Sequence, residues 1–371
     1  MNAIKNIMFS STRQWNCGDE FILFGVMNIF DRLLGKDSYN PILYNRNPSI
    51  RPAFGKTGFR HPLQYLQKVA FLKLNECDNS YHKRGGAFWN NSIDLAVVAG
   101  TPELLGERLK DFYAEISNSN IPLYILGAGS FPINGLNNIR EGSQISKAEV
   151  ITFRTESLSR SANLHGLPQA KYLPCPALLS AKIGNEKKWE SQKKDIIIGL
   201  GYNICSDYTV PDIGISKDTY DFSTTLFKLI ITKFKKKNIK FIAICHYIDE
   251  IPSARNFFSK YGIPVRYTFE SRGYFDIYRD IDLLITSRVH GCGISASLGI
   301  PSIGISHDER GETVKGFLSE IISLSDRYDV ALDKVDQTLN NLDAKHISLI
   351  KHKQTTLENY TSLLRKPLFK I

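Results

Sequence analysis

The sequence has few cysteines, and they are scattered. The six, at positions 17, 77, 175, 205, 245 and 292, form no Cys-x-x-Cys pair. That spacing argues against a zinc site and against a disulfide framework, and it suits reduced thiols in a cytoplasm. Long apolar runs are also missing: none approaches the roughly 18 residues needed to span a bilayer. Met1 to Ser10 holds one lysine and an apolar run too short for a signal sequence. There is no Gly-x-Gly-x-x-Gly fingerprint and no phosphate-loop lysine, so the usual nucleotide signatures are absent. No nucleic-acid module, fixed-period repeat or low-complexity tract appears either.

What is present is an ordinary globular composition with an excess of positive charge. Of 371 residues, 42% are hydrophobic and 11% aromatic, and the formal charge is +10. The length suggests two cores, since single cores stop growing at about 250 to 300 residues. The charge points to anionic partners, with phosphate and a membrane surface favoured over nucleic acid.

The organising stretch runs from Asp282 to Ser306. It reads as a buried strand (Leu283 to Thr286), a turn, a short helix (Gly291 to Leu298) and a second buried strand (Ile300 to Ile305). Apolar runs of this length around a helix describe neighbouring strands of a parallel sheet covered on both faces. Ser287, Arg288 and His290 then lie outside the carboxyl end of a strand, where open α/β sheets bind ligands. A helix amino terminus there favours anions. Arg288 adds a forked cation for phosphate or carboxylate, and His290 a group that moves a proton near neutral pH. Taken singly, Ser287 is also a helix cap, Arg288 a partner for a surface carboxylate, and His290 a structural histidine. Their grouping at one strand-to-helix turn favours function.

Similar strand-turn-helix units precede this stretch. Strands are expected at Ile4–Phe9, Asp94–Ala99, Pro122–Leu126 and Glu149–Phe153, the last delivering Arg154 at its carboxyl end. Further strands are expected at Asp195–Leu200, Ile239–Cys245 and Pro264–Tyr267. The fold class is therefore α/β, with two doubly wound Rossmann-like lobes. The expected organisation is a first lobe over residues 1–176, a lysine-rich linker over 177–194 and a second lobe over 195–338. A helical tail, 339–371, packs back on the first lobe. In the Ser10–Asp19 loop, Asp19 reads either as the cap of the following helix or, with Asn16, as a residue facing an interdomain cleft. Residues 46–84 mix lysines and arginines with aromatics. They read as solvated surface, or as a peripheral contact with an anionic membrane or a diphosphate-linked acceptor.

With these residues placed, the chain resembles the polysaccharide pyruvyl transferase family. The resemblance is carried by Thr286-Ser-Arg-Val-His-Gly291 with Ser297-Leu-Gly-Ile-Pro301, and by the Asn16-Cys-Gly-Asp19-Glu20 turn. It is carried too by Ile125-Leu-Gly-Ala-Gly129, by Ile151-Thr-Phe-Arg154 with Ser157, and by a strand closing on His246 with Asp249 shortly after. It implies a GT-B-like fold with an interdomain cleft. It also implies transfer of the enolpyruvyl carbons of phosphoenolpyruvate to two hydroxyls of a sugar, as a cyclic ketal. On that pattern Arg154, Arg288, Ser287 and Thr101 contact phosphoenolpyruvate, His290 is the general acid, and His246 is an additional site residue. By position alone, in the polar loop at the carboxyl end of the first strand, Trp15, Asn16 and Asp19 are expected to face the acceptor, a sugar or lipid-linked oligosaccharide. Neither metal nor cofactor is required, and the cytoplasm, at the inner face of the membrane, is the expected location. Three positions depart from the family pattern: Thr155 stands for an Asp, Ala99 for a glycine, and Cys175 lies near a usual acidic position. The alternative is a GT-B-type glycosyltransferase using a nucleotide sugar. A non-catalytic binding protein would need no proton donor at His290.

Overall fold

The computed structural model describes residues 6–12, 17–46, 80–81, 93–101, 104–129, 143–205, 214–237, 239–306, 308 and 310–369. They divide into two compact units. One runs to Ser180 and takes in the chain again from Gln354, and the other holds Ala181–Lys353.

The first unit is built on a parallel sheet. Its strands are β1 (Asn6–Ser11), β2 (Asn40–Asn45), β3 (Ser80–Tyr81), β4 (Leu95–Thr101), β5 (Leu123–Ala128), β6 (Val150–Phe153) and β7 (Ala170–Tyr172), in the order β3-β2-β1-β4-β5-β6-β7. Every residue of β4 and β5 is buried. This is why they read as continuous apolar runs rather than as alternation. Helix α1 (Cys17–Leu34) lies against the turn Pro176–Leu179. Gly25 permits that approach, because a Cβ there would stand 1.7 Å from the Pro176 carbonyl oxygen. Asn28 secures it with bonds from Nδ2 to the carbonyls of Leu179 and Ser180, at 2.8 and 3.1 Å. Helices α2 (Glu107–Ser119) and α3 (Glu156–Leu164) are the next crossovers.

The second unit repeats the plan. Its strands are β8 (Ile197–Gly201), β9 (Lys240–Ile244), β10 (Val265–Arg266), β11 (Leu283–Thr286), β12 (Ser302–Ser306) and β13 (Glu320–Ser323), all parallel, in the order β10-β9-β8-β11-β12-β13. Helix α4 (Lys217–Phe234) buries Leu226, Phe227, Ile230 and Phe234 on one stripe against the sheet. The strand order reverses beside the first strand of each unit, between β1 and β4 and between β8 and β11. These are the switch points at which doubly wound sheets open a crevice.

Two long helices close the chain, α9 (Tyr328–Asn340) and α10 (Leu342–Leu368), numbered after the short helices α5 (Ile251–Phe258), α6 (Tyr274–Arg279), α7 (Val289–Ser297) and α8 (Gly311–Lys315). From Gln354 onward α10 belongs to the first unit, where the Tyr360 hydroxyl donates to the Pro174 carbonyl at 2.9 Å. Residues 182–189 make specific contacts within the second unit. Trp189 stacks on His346 at 4.6 Å, and Glu186 pairs with the buried Lys353, which also donates to the Ser297 carbonyl at 2.8 Å. Lys353 thereby caps the carboxyl end of α7. No helix among the described residues is long and apolar enough to cross a membrane.

Candidate functional site

In the second unit β11 ends at Thr286, as its sequence indicates, but α7 begins at Val289, two residues before the expected start. Arg288 therefore occupies the N-cap position, and His290, half-buried, lies in the first turn of the helix rather than in the connecting turn. The Arg288 amide donates to Thr286 Oγ1 at 3.0 Å. Gly201 on β8 leaves room for that hydroxyl, since a Cβ there would stand 2.2 Å from it. Ser287 makes no cap. Its hydroxyl instead accepts from Asn203 Nδ2, which joins the ends of β11 and β8 across the switch point. Ser287 also lines a depression with Thr286, Val289, Gly304, Ser306 and Asp308.

Arg288 is held on two sides. Its guanidinium lies over the Tyr247 ring at 4.4 Å and pairs with the carboxylate of Glu250, which is 0% exposed. The other oxygen of Glu250 accepts from the amides of His246 at 2.8 Å and Tyr247 at 3.1 Å. The sequence pointed to Asp249 near His246 and to a surface partner for Arg288. The partner is instead the next residue, fully buried. A signal existed: Glu250 stands three residues after Tyr247, the spacing at which a Glu reaches back to the first amide of a helical turn.

His246 is buried, and its Nε2 is 2.8 Å from the Tyr278 hydroxyl. Burial, then the charges of Arg288 and His290, hold its pKa well below the usual histidine value. The ring is therefore neutral near pH 7. Burial pushes the thiols of Cys245 and Cys292 up to about 12 and about 11, so neither is a thiolate at neutral pH. The five described cysteines are buried, and no disulfide joins any of them; Cys77 lies outside the described residues.

The first unit places its candidates in two groups. Arg154 follows β6, is buried, and lies against Gly129, where a Cβ would stand 2.7 Å from Nη2. The Gly129 amide donates to the Thr101 carbonyl at 2.6 Å, so Thr101 and Arg154 border the same glycine. Burial raises the pKa of the neighbouring Cys175 thiol, while Arg154 opposes that shift. Thr155 caps α3 through the Leu158 amide at 3.4 Å. Asp19 is in the second group. Its carboxylate accepts from the Thr12 hydroxyl and stands 3.7 Å from Arg46 Nη2, and Arg46 Nη1 donates to the Gly100 carbonyl at 2.8 Å. Trp15 and Asn16 lie outside the described residues, as does most of 46–84. Among the described residues no group of three or more His, Cys, Asp or Glu is placed to hold a metal ion.

A strand end, a helix amino terminus, an anchored arginine and a half-buried histidine can together bind an anion and exchange a proton beside it. A model of the polysaccharide pyruvyl transferase family matches residues 16–309. No curated protein sequence matches the chain. Similar solved structures include a UDP-N-acetylglucosamine 2-epimerase at 12% identity and TM-score 0.58, covering 100% of this chain and 96% of that one. The Neisseria meningitidis UDP-GlcNAc 2-epimerase bound to UDP-GlcNAc is similar at 9% and 0.52, covering 99% and 100%. The S. aureus MnaA–UDP co-structure is similar at 13% and 0.52, covering 94% and 91%. These likenesses concern the fold, two Rossmann-like lobes of GT-B type.

Proposed function

Because the chain belongs to the polysaccharide pyruvyl transferase family, we propose that it transfers the pyruvyl group of phosphoenolpyruvate to two hydroxyls of a sugar in a polysaccharide precursor. The observation that carries this reading is the grouping of Ser287, Arg288 and His290 at the amino end of α7, beside the β8/β11 switch point.

The chemistry asks for an anion holder and a proton donor. Phosphoenolpyruvate carries a phosphate and a carboxylate, and Arg288 with the α7 amides and the Ser287 hydroxyl suits one of them. Arg154 and Thr101, at strand ends of the first unit, are the proposed contacts of the other. A proton from His290 adds to the methylene carbon, and a sugar hydroxyl attacks the adjacent carbon. Phosphate then leaves with its bonding electron pair, and the second hydroxyl closes the ring. One hydroxyl proton balances that gained by the methyl group; the other leaves with the phosphate. His246, neutral and tied to Tyr278, serves the site through its backbone amide rather than as an acid. The proposed acceptor contacts are Trp15, Asn16 and Asp19.

The test is mass spectrometry of sugar acceptors incubated with phosphoenolpyruvate and the protein. The expected product carries the pyruvyl mass increment together with released phosphate. No increment, with thermal stabilisation by a nucleotide sugar and none by phosphoenolpyruvate, would overturn the reading in favour of a glycosyltransferase.

A further inference from the structure

Glu250 contributes a buried charge beside the proposed donor site, and the reaction as written gives it no step. Its carboxylate is enclosed, and both oxygens are used. One takes the His246 and Tyr247 amides at 2.8 and 3.1 Å, the other the Arg288 guanidinium. An enclosed carboxylate is tolerated only with such partners. The turn that follows β9 therefore reaches the N-cap of α7 past β8, which lies between β9 and β11 in the sheet. Tyr247, from the same turn, provides the surface on which the guanidinium rests. One edge and one face of Arg288 are thus fixed by a four-residue segment, while the side chain stays 14% exposed.

We propose that Glu250 is the positioning residue of the anion site, setting the guanidinium of Arg288 before the ligand arrives. The inference rests on reading Arg288 as a donor contact. Two effects compete. The negative charge of Glu250 repels an approaching anion, whereas its hold on Arg288 presents a formed fork. A released arginine has many rotamers and turns toward water, so the loss of order outweighs the relief of repulsion.

The test uses the full chain and two probes, inorganic phosphate and phosphoenolpyruvate, titrated calorimetrically into the wild type, Glu250→Gln, Arg288→Ala and the double variant. In Glu250→Gln the affinity for both probes should fall about tenfold or more, while turnover at saturating donor changes less than about threefold. The double variant should bind no worse than Arg288→Ala, because Glu250 acts through that side chain. Unchanged or tighter binding in Glu250→Gln would overturn the proposal, as would a double variant weakened by the product of the two single losses. Should Glu250→Gln fail to fold, Tyr247→Leu removes the resting surface and leaves the carboxylate in place. It should weaken phosphate binding by about threefold, and wild-type affinity there would overturn the proposal. A wild type that binds phosphate but not phosphoenolpyruvate would refute the donor reading and leave the role of Glu250 measurable. One that binds neither would refute both.

Discussion

In the first unit Arg46 stands 3.7 Å from Asp19 and gives another nitrogen to the Gly100 carbonyl; in the second, Arg288 meets Glu250 and rests on Tyr247. Both pairs lie at the carboxyl edge of a parallel sheet, and both carboxylates are buried. The arginines differ in what they leave over. The side chain of Arg46 is 3% exposed and donates to the Gly100 carbonyl near the end of β4, whereas that of Arg288 is 14% exposed and its residue occupies the N-cap of a helix. A strand-end arginine is thus equally suited to closing a sheet edge or presenting a charge. Its partners, not its position in a strand-turn-helix unit, separate the two uses.

The strongest way to sharpen this contrast is His290, in the first turn of the helix that Arg288 caps. His290→Ala should lower turnover by about 100-fold to 10,000-fold while donor affinity, measured by titration, stays within about threefold. Affinity falling as far as turnover would make it a ligand holder instead. Next comes Arg46→Ala, which strands Asp19 in the interior. Urea unfolding should show a loss of about 3 to 5 kcal/mol, with phosphate affinity unchanged. A variant that keeps its stability but loses phosphate would break the contrast altogether.

A smaller effect is expected for Arg154→Ala, a loss of about 1.5 to 3 kcal/mol in donor binding, or roughly tenfold or more in affinity. Gly129→Ala should act in the same direction, since its Cβ displaces the guanidinium. The smallest effect is one of pH. His246 is buried neutral, with its pKa below 6.5. Below that pH the unfolded imidazole takes up a proton that the folded one refuses. Stability is therefore full above about pH 6.5 and drains as pH falls toward the depressed value, at up to about 1.4 kcal/mol per pH unit. Denaturation at pH 7.5 and 5.5 should show that difference in the wild type and less of it in His246→Gln. Equal slopes would place the histidine outside the linkage.

Much of the architecture is legible in the sequence. Strand β11 runs over the residues expected of it, and β4, β5, β6, β8 and β9 lie within two residues of theirs. Strand β2 was not legible. Asn40-Pro-Ile-Leu-Tyr-Asn45 carries a proline and asparagines that read as irregular, and its pairing with β1 makes it a strand. Strand β7 was missed because three residues are too few to show a pattern, and β13 because only one of its four residues is buried, so it carries no continuous apolar run like that of β11.

The sequence by itself determined two doubly wound lobes and the placing of Ser287, Arg288 and His290 at one junction. Buried parallel strands must be apolar on both faces, and the turns after them must be small or polar, so both features are written locally. Only the tertiary structure decided which groups those residues meet. Arg288 and Glu250 are 38 residues apart, and Ser287 and Asn203 are 84 apart. What brings them together is the sheet order β10-β9-β8-β11, a property of the packed whole that no local window of residues contains.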